Sequence, residues 1–173
     1  MLEFSCTPRN LRAVDEAQGE VLAVGFYRDV RPFRGLLGQL DDRMLGRFSR
    51  LAAKGFMRGD LGEITLVPGR PRVPFDKVLA VGLGPLATFD DAAFGTALAA
   101  ISGALTGLRA RRCVIELPGR ANERITPEHA LALLLRHPNG ELPFDAVTFI
   151  EDPEGERRMR ERATEERRRT RMR

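Results

Sequence analysis

Asp76–Pro85, DKVLAVGLGP, is the stretch on which the reading of this chain turns. Its Lys77–Gly82 part is near-continuously apolar and rich in Val, as in a strand covered on both faces. Gly82, Gly84 and Pro85 then close the strand in a tight turn. Beyond the turn, Asp90 and Asp91 open a helical pattern, where their charge complements a helix N-terminus. Phe94, Ala97, Ile101, Leu105 and Leu108 recur at spacings of three and four and mark the buried stripe of that helix. Its surface is mostly Ala, Gly and Leu, which predicts close packing on a sheet.

The rest of the chain extends the same pattern in both directions. Upstream, residues 2–6 read as a short strand closed by Pro8, and Glu20–Tyr27 (EVLAVGFY) as a second buried strand. Gly35–Lys54 reads as one helix, with Leu37, Leu40, Met44, Phe48 and Leu51 on one face. Gly55–Gly62 is a Gly-rich loop, Glu63–Val67 a strand, and Pro68, Pro71 and Pro74 an irregular connection. Downstream, Arg111–Leu117 is a strand ended by Pro118 and Gly119. Thr126 caps a helix with Pro127 in its first position, ending near His137–Gly140. Asp145–Ile150 is the last strand. This order predicts an α/β domain over residues 1–152, three-layered, with a mixed sheet flanked by helices on both faces.

Residues 153–173 form a separate charged segment. The chain of 173 residues carries a net charge of +4, and the nine Arg and five Glu of this tail account for all of it. Met159, Ala163 and Met172 make no continuous stripe, so the tail is expected to be a solvated helix or a disordered arm unless a partner covers it. Pairs such as Glu154–Arg158, Arg157–Glu161 and Glu165–Arg169 favour the helix. The N-terminus, MLEFSCTPRN, lacks a basic-then-apolar signal pattern, and no run of about 18 apolar residues occurs. A cytoplasmic protein without a membrane span is therefore expected. Cys6 and Cys113 read as buried, reduced thiols.

Each motif has a plain structural reading beside the chemical one. Gly82–Ala87 matches GxGxxA after a strand, the form of a dinucleotide turn. Against that, the helix starts late, two Asp at its start repel a phosphate, and Glu116 lies farther on than the spacing of about 20 such sites use. The preferred reading is a turn that needs glycine for its backbone. Arg31, Arg34, Gly35 and Gly38 sit at a strand-to-helix junction that could hold an anion. Together with Gly82, Leu83 and Gly84 they are the candidate ligand-binding residues. His129 and His137 have no third ligand near them, so no metal or cofactor is expected. Arg157, Arg158, Arg160, Arg162, Arg167, Arg168 and Arg169 are candidate contacts to a partner or to nucleic acid. The interleaved Glu and the absence of aromatic side chains weigh against strong nucleic-acid binding.

Several of these pieces stand in the order found in one family. EVLAVGFYRD ending near Asp29, then a Gly-rich loop and helix, then KGFMRGDLGEITLVP with Gly55, Phe56, Gly59, Gly62 and Glu63, then Val81–Gly84, resembles the N-terminal domain of the leucyl aminopeptidases. The resemblance covers roughly residues 15–150. It implies a macro-domain-like fold. It also implies that the two-metal peptidase site belongs to a separate C-terminal domain, whose KGxTFDSGG-like and NTDAEGRL-like segments do not occur here. The expected role is that of a stand-alone, non-catalytic relative of that domain, acting through self-association or a protein partner. The alternatives are a macro-type module for ADP-ribose or a related nucleotide, and nucleic-acid association through the tail.

Overall fold

A computed structural model describes residues 4–137 and 145–171. It contains six strands: β1 (Phe4–Thr7), β2 (Val21–Phe26), β3 (Ile64–Pro68), β4 (Lys77–Gly82), β5 (Arg112–Ile115) and β6 (Ala146–Ile150). The helices are α1 (Leu11–Glu16), α2 (Gly35–Arg43), α3 (Arg47–Ala53), α4 (Asp91–Leu108), α5 (Pro127–Arg136) and α6 (Pro153–Arg171), with a 3-10 turn at Leu86–Thr88. The sheet order is β1-β6-β5-β2-β4-β3. All neighbours run parallel except β3, which pairs antiparallel with β4. The expected strand at residues 2–6 begins at Phe4, its first two residues lying outside the description. The expected end of α5 at His137–Gly140 also lies partly outside it.

The apolar runs of β2 and β4 reflect cover on both faces. Val21, Ala23, Leu79 and Val81 point to one side, where Phe94, Ile101 and Leu105 of α4 and Leu131 and Leu134 of α5 pack. Leu22, Val24, Val78 and Ala80 point to the other, against Val14 of α1, Leu36, Leu37 and Leu40 of α2 and Phe48 of α3. The fold is thus the expected three-layer α/β arrangement. By length and composition α4 could cross a bilayer, which the expectation of no spanning run overlooked. Its large side chains lie in the core of the domain instead.

Three local expectations change. The single helix at Gly35–Lys54 is two. Leu45 and Gly46 adopt φ of 58° and 71° and turn the chain between α2 and α3. The buried Asp41 carboxylate accepts from the amides of Phe48 and Ser49 at 2.7 and 3.1 Å, capping α3 from within α2. The apolar stripe continues across the break, which is why periodicity alone concealed it. Second, α1 was not anticipated; the Asn10 side chain caps it, accepting from Ala13 N at 2.9 Å. Third, the charged tail is an ordered helix that packs on the domain. Met159 is fully buried and Ala163 packs beside it, so a short apolar stripe does exist there. Met172 lies outside the described residues.

Candidate functional site

β2 is followed by α2 on one face of the sheet, whereas its neighbours β4 and β5 lead into α4 and α5 on the other. The carboxyl ends of these strands therefore flank a topological switch point, where open α/β sheets form crevices. Tyr27 and Asp29 extend β2 there, Gly82–Leu86 extend β4, and Glu116 extends β5.

On the β4 side the chain itself occupies the turn. A Cβ on Gly82 would run into the Asp60 carbonyl oxygen, so only glycine allows the 59–62 loop to cross at that point. Gly62 N donates to Gly82 O at 2.9 Å, Gly82 N to Glu63 O at 2.8 Å, and Gly84 N to Gly59 O at 2.9 Å. Leu83 N donates to Phe26 O, and Leu86 N to Asp29 Oδ1, both at 2.9 Å. The Glu63 carboxylate accepts from Arg58 N and Gly59 N at 2.9 and 2.5 Å and holds the crossing loop in shape. The turn amides of Leu83, Gly84 and Leu86 are therefore all engaged within the chain.

The junction after β2 is equally self-contained at two positions. The Arg31 guanidinium lies 4.6 Å from the Phe33 ring centroid and donates to Tyr27 O and Val30 O at 2.8 and 2.9 Å. A Cβ on Gly38 would press on Phe33 O. Arg34 and Gly35 are exposed at the start of α2. Arg31 also reaches the crossing loop through Arg58 O at 3.5 Å. Of the Arg31–Gly38 group, Arg31 thus reaches the chain that closes the Gly82–Gly84 turn.

Sequence reasoning missed a buried ionic cluster on the other side of the crevice. Arg120 donates to Glu151 from Nε at 2.6 Å and from Nη2 at 2.9 Å, and from Nη1 to Ile125 O at 2.6 Å. Arg9 Nε donates to Glu116 Oε2 at 3.0 Å, and its Nη2 stands 3.8 Å from Glu151. Burial pushes the Glu116 carboxyl up to about 7, although Arg9 acts to lower it. Burial works to lower the Arg120 pKa, but the hydrogen bonds and charge of Glu151 outweigh it and leave it raised. Arg9 Nη2 and the Tyr27 hydroxyl are buried without a hydrogen-bond partner. Burial also raises the Tyr27 phenol to about 12, with Arg124 acting against it. The available signal was two acids directly after buried β runs, in VIE and TFIE.

The remaining candidates sort themselves by partner. Arg157 pairs with Glu154 and Glu161, Arg160 with Glu156, Arg162 with Glu165 and Glu166, and Arg169 with Glu166. Arg158 reaches across to Glu128 of α5 at 2.5 Å rather than pairing within its own helix. Arg167 and Arg168 are exposed. His129 binds Asp91 of α4 at 2.9 Å, a clamp between helices. Among the described residues no group of three or more His, Cys, Asp or Glu could hold a metal ion. Burial lifts both thiols, Cys6 and Cys113, to about 12, which makes them poor nucleophiles.

The profile of the cytosol aminopeptidase family, N-terminal domain, matches residues 23–137. A probable cytosol aminopeptidase of Synechocystis is 30% identical over 117 residues, covering 68% of this chain and 23% of that protein. One from Picosynechococcus is 29% identical over 113 residues, covering 64% and 23%. The chain thus spans about a quarter of the length of these relatives. Among solved structures, a tomato leucine aminopeptidase mutant superposes with a TM-score of 0.62 at 19% identity, covering 93% of this chain and 36% of that one. The macrodomain of Mycobacterium tuberculosis DarG gives 0.67 at 14% identity, covering 87% and 99%. An Oceanobacillus iheyensis macrodomain with ADP gives 0.65 at 10% identity, covering 84% and 83%. These likenesses show a macrodomain-like fold.

Proposed function

The chain belongs to the N-terminal domain of the cytosol aminopeptidase family, and from that premise we propose that it is a non-catalytic assembly module acting through contacts between copies of itself. One observation carries this reading. The strand-end turn that could have held a ligand is closed by its own loop, through the Gly59–Gly84, Gly62–Gly82 and Asp29–Leu86 hydrogen bonds. The motifs that mark the family therefore build a rigid platform at this edge of the sheet. A cytoplasmic location suits the role and the relatives' names. Light scattering over a wide concentration range tests the proposal. An oligomer is expected, and a chain that stays monomeric at the highest attainable concentration refutes it.

A second reading, a macro-type site for ADP-ribose or a related nucleotide, draws on the fold likeness to a macrodomain with ADP. It also draws on the unpartnered Tyr27 hydroxyl and Arg9 Nη2 beside Glu116. Glu116 opposes it above about pH 7, where its carboxyl ionises and repels a phosphate. Calorimetry with ADP-ribose decides, and absence of heat at millimolar ligand removes this reading. Nucleic-acid association through α6 has the weaker support of two exposed cations, Arg167 and Arg168; it predicts binding that falls steeply with salt.

A further inference from the structure

The two most exposed large apolar side chains among the described residues stand at the two ends of α3. Leu45, just before the helix, is 61% exposed, and Phe56, just after it, is 71% exposed. Neither serves the core, which Met44, Phe48 and Met57 fill from neighbouring positions. The backbone of Leu45 has a φ of 58°, in the left-handed region, which costs a residue with a Cβ and suits glycine. Phe56 is fixed at its backbone, its N–H donating to Leu51 O at 3.0 Å, while its ring faces water. A lone exposed leucine is ordinary. Two large apolar tips on one short helix, one of them on strained backbone, mark a surface with a task.

Between the tips the helix is cationic. Leu45–Phe56, LGRFSRLAAKGF, contains no Asp or Glu. Apart from Gly55, the residues exposed between the tips are Arg47, Ser49, Arg50, Ala53 and Lys54. Elsewhere the cations are mostly matched, Arg43 with Asp15, Arg58 with Asp60, Arg70 with Asp76 and much of α6 with its own glutamates. Among the described residues no carboxylate stands within 4.0 Å of Arg47, Arg50 or Lys54. The exposed acid nearest in sequence, Asp42, lies on α2 and pairs with none of them. Arg50 Nη1 instead donates to Leu45 O, which ties a cation to an apolar tip. The tail accounts for the whole net charge, so the excess on α3 is local.

We propose that α3 and its two flanking turns form a docking face for a bilayer surface that carries anionic lipid. Such a surface supplies negative charge for Arg47, Arg50 and Lys54 and hydrocarbon for Leu45 and Phe56. By helix rise the tips stand roughly 15 Å apart, with the cations between them. A protein partner would need a shape that met both tips and the charges at once, whereas a fluid interface adapts to them. A nucleic acid matches the cations and can stack on Phe56, but has nothing for Leu45. Phe33, Ala52 and Ala53 line a cleft of about 280 Å³ along the same helix, which extends the apolar surface beside the cations. The inference is independent of the assembly reading, since it uses no contact between copies.

Flotation of the full chain with lipid vesicles tests this. The chain is expected to bind vesicles of phosphatidylglycerol and phosphatidylcholine in equal amounts, to ignore phosphatidylcholine alone, and to be released as salt rises. Phe56→Ser should weaken binding roughly tenfold or more. Leu45→Gly should do the same and leave the urea midpoint unchanged or higher, because glycine accepts the φ of 58°. Arg47→Gln and Lys54→Gln should each weaken it about fivefold. Arg167→Gln with Arg168→Gln, on the exposed part of α6, should leave it unchanged. Absence of binding to the mixed vesicles overturns the proposal. Binding that survives both Phe56→Ser and Leu45→Gly overturns it as well, because charge attraction alone then accounts for it. Loss with the α6 pair moves the contact to the tail and overturns it. A single-stranded oligonucleotide that displaces the vesicles, its own binding weakened by Phe56→Ser and not by Leu45→Gly, assigns the face to nucleic acid and removes the bilayer.

Discussion

Replacing Glu116 by Gln should remove a pH dependence that burial builds into the fold. The carboxyl sits among Arg9, Arg120 and Glu151 at the end of β5, and burial raises it from 4.5 to about 7. Between those values the folded chain holds a proton that the unfolded chain has released. Stability contributed by the neutral form is fully present below pH 4.5 and is lost as pH rises toward 7. At about 1.4 kcal/mol per pH unit, the loss amounts to roughly 3 kcal/mol. Gln keeps the shape and one oxygen for Arg9 Nε, but does not ionise. Urea unfolding of both proteins at a series of pH values isolates the effect, because all other titrations are shared. The difference between them should shift by roughly 3 kcal/mol in favour of Gln from acid to mildly alkaline pH. A pH-independent difference, or one that grows in favour of Glu, would show that Arg9 rather than burial governs this carboxyl.

Gly82→Ala should destabilise the domain by about 3 kcal/mol in chemical unfolding, because the new methyl meets the Asp60 carbonyl, which cannot move aside. Gly103→Ala, made in open space on the same β-α unit, should stabilise it by about 1 kcal/mol through helix propensity, measured at a concentration too low for association. Met159→Ala should lower stability by about 2–4 kcal/mol and make the amides of α6 exchange first in hydrogen–deuterium exchange. Arg120→Met should lower stability by about 3 kcal/mol or more by leaving the Glu151 carboxylate buried without its two-point partner. Pairing Arg120→Met with Glu151→Leu should recover much of that loss, since an apolar pair carries no desolvation penalty.

What the sequence disclosed follows the length scale of each interaction. Lys77–Gly82 and Glu20–Tyr27 are legible because cover on both faces demands a continuous apolar run. Gly82 and Gly84 were recognisable as a turn that needs glycine. Their reason, the crossing of the Asp60 carbonyl, lies some twenty residues away and could not be read locally. The helix break at Leu45–Gly46 was hidden because the core side keeps its period while Asp41 supplies the cap. The ionic cluster joins residues 9, 116, 120 and 151, a separation no window spans. The tail misled for the opposite reason. One buried Met159 and a few cross-helix pairs suffice to dock it, although its average composition is that of a solvated segment.

Gly59, Gly62, Glu63, Gly82 and Gly84 stand apart in the sequence yet form one knot, in which Glu63 shapes the crossing loop and Gly82 admits it. That knot fixes the start of β3, and with it the position of Gly62 against Thr96 and Ala100 of α4. A chain that needed these glycines for a phosphate would leave the turn amides open, whereas here Gly59 O, Phe26 O and Asp29 receive them. The same residues that close the crevice therefore set the start of β3 beside α4. Loosening the knot by Glu63→Ala, which leaves the Arg58 and Gly59 amides without their acceptor, should thus destabilise the domain by about 1–3 kcal/mol in urea unfolding, and an unchanged midpoint would show that the glycines alone hold the crossing.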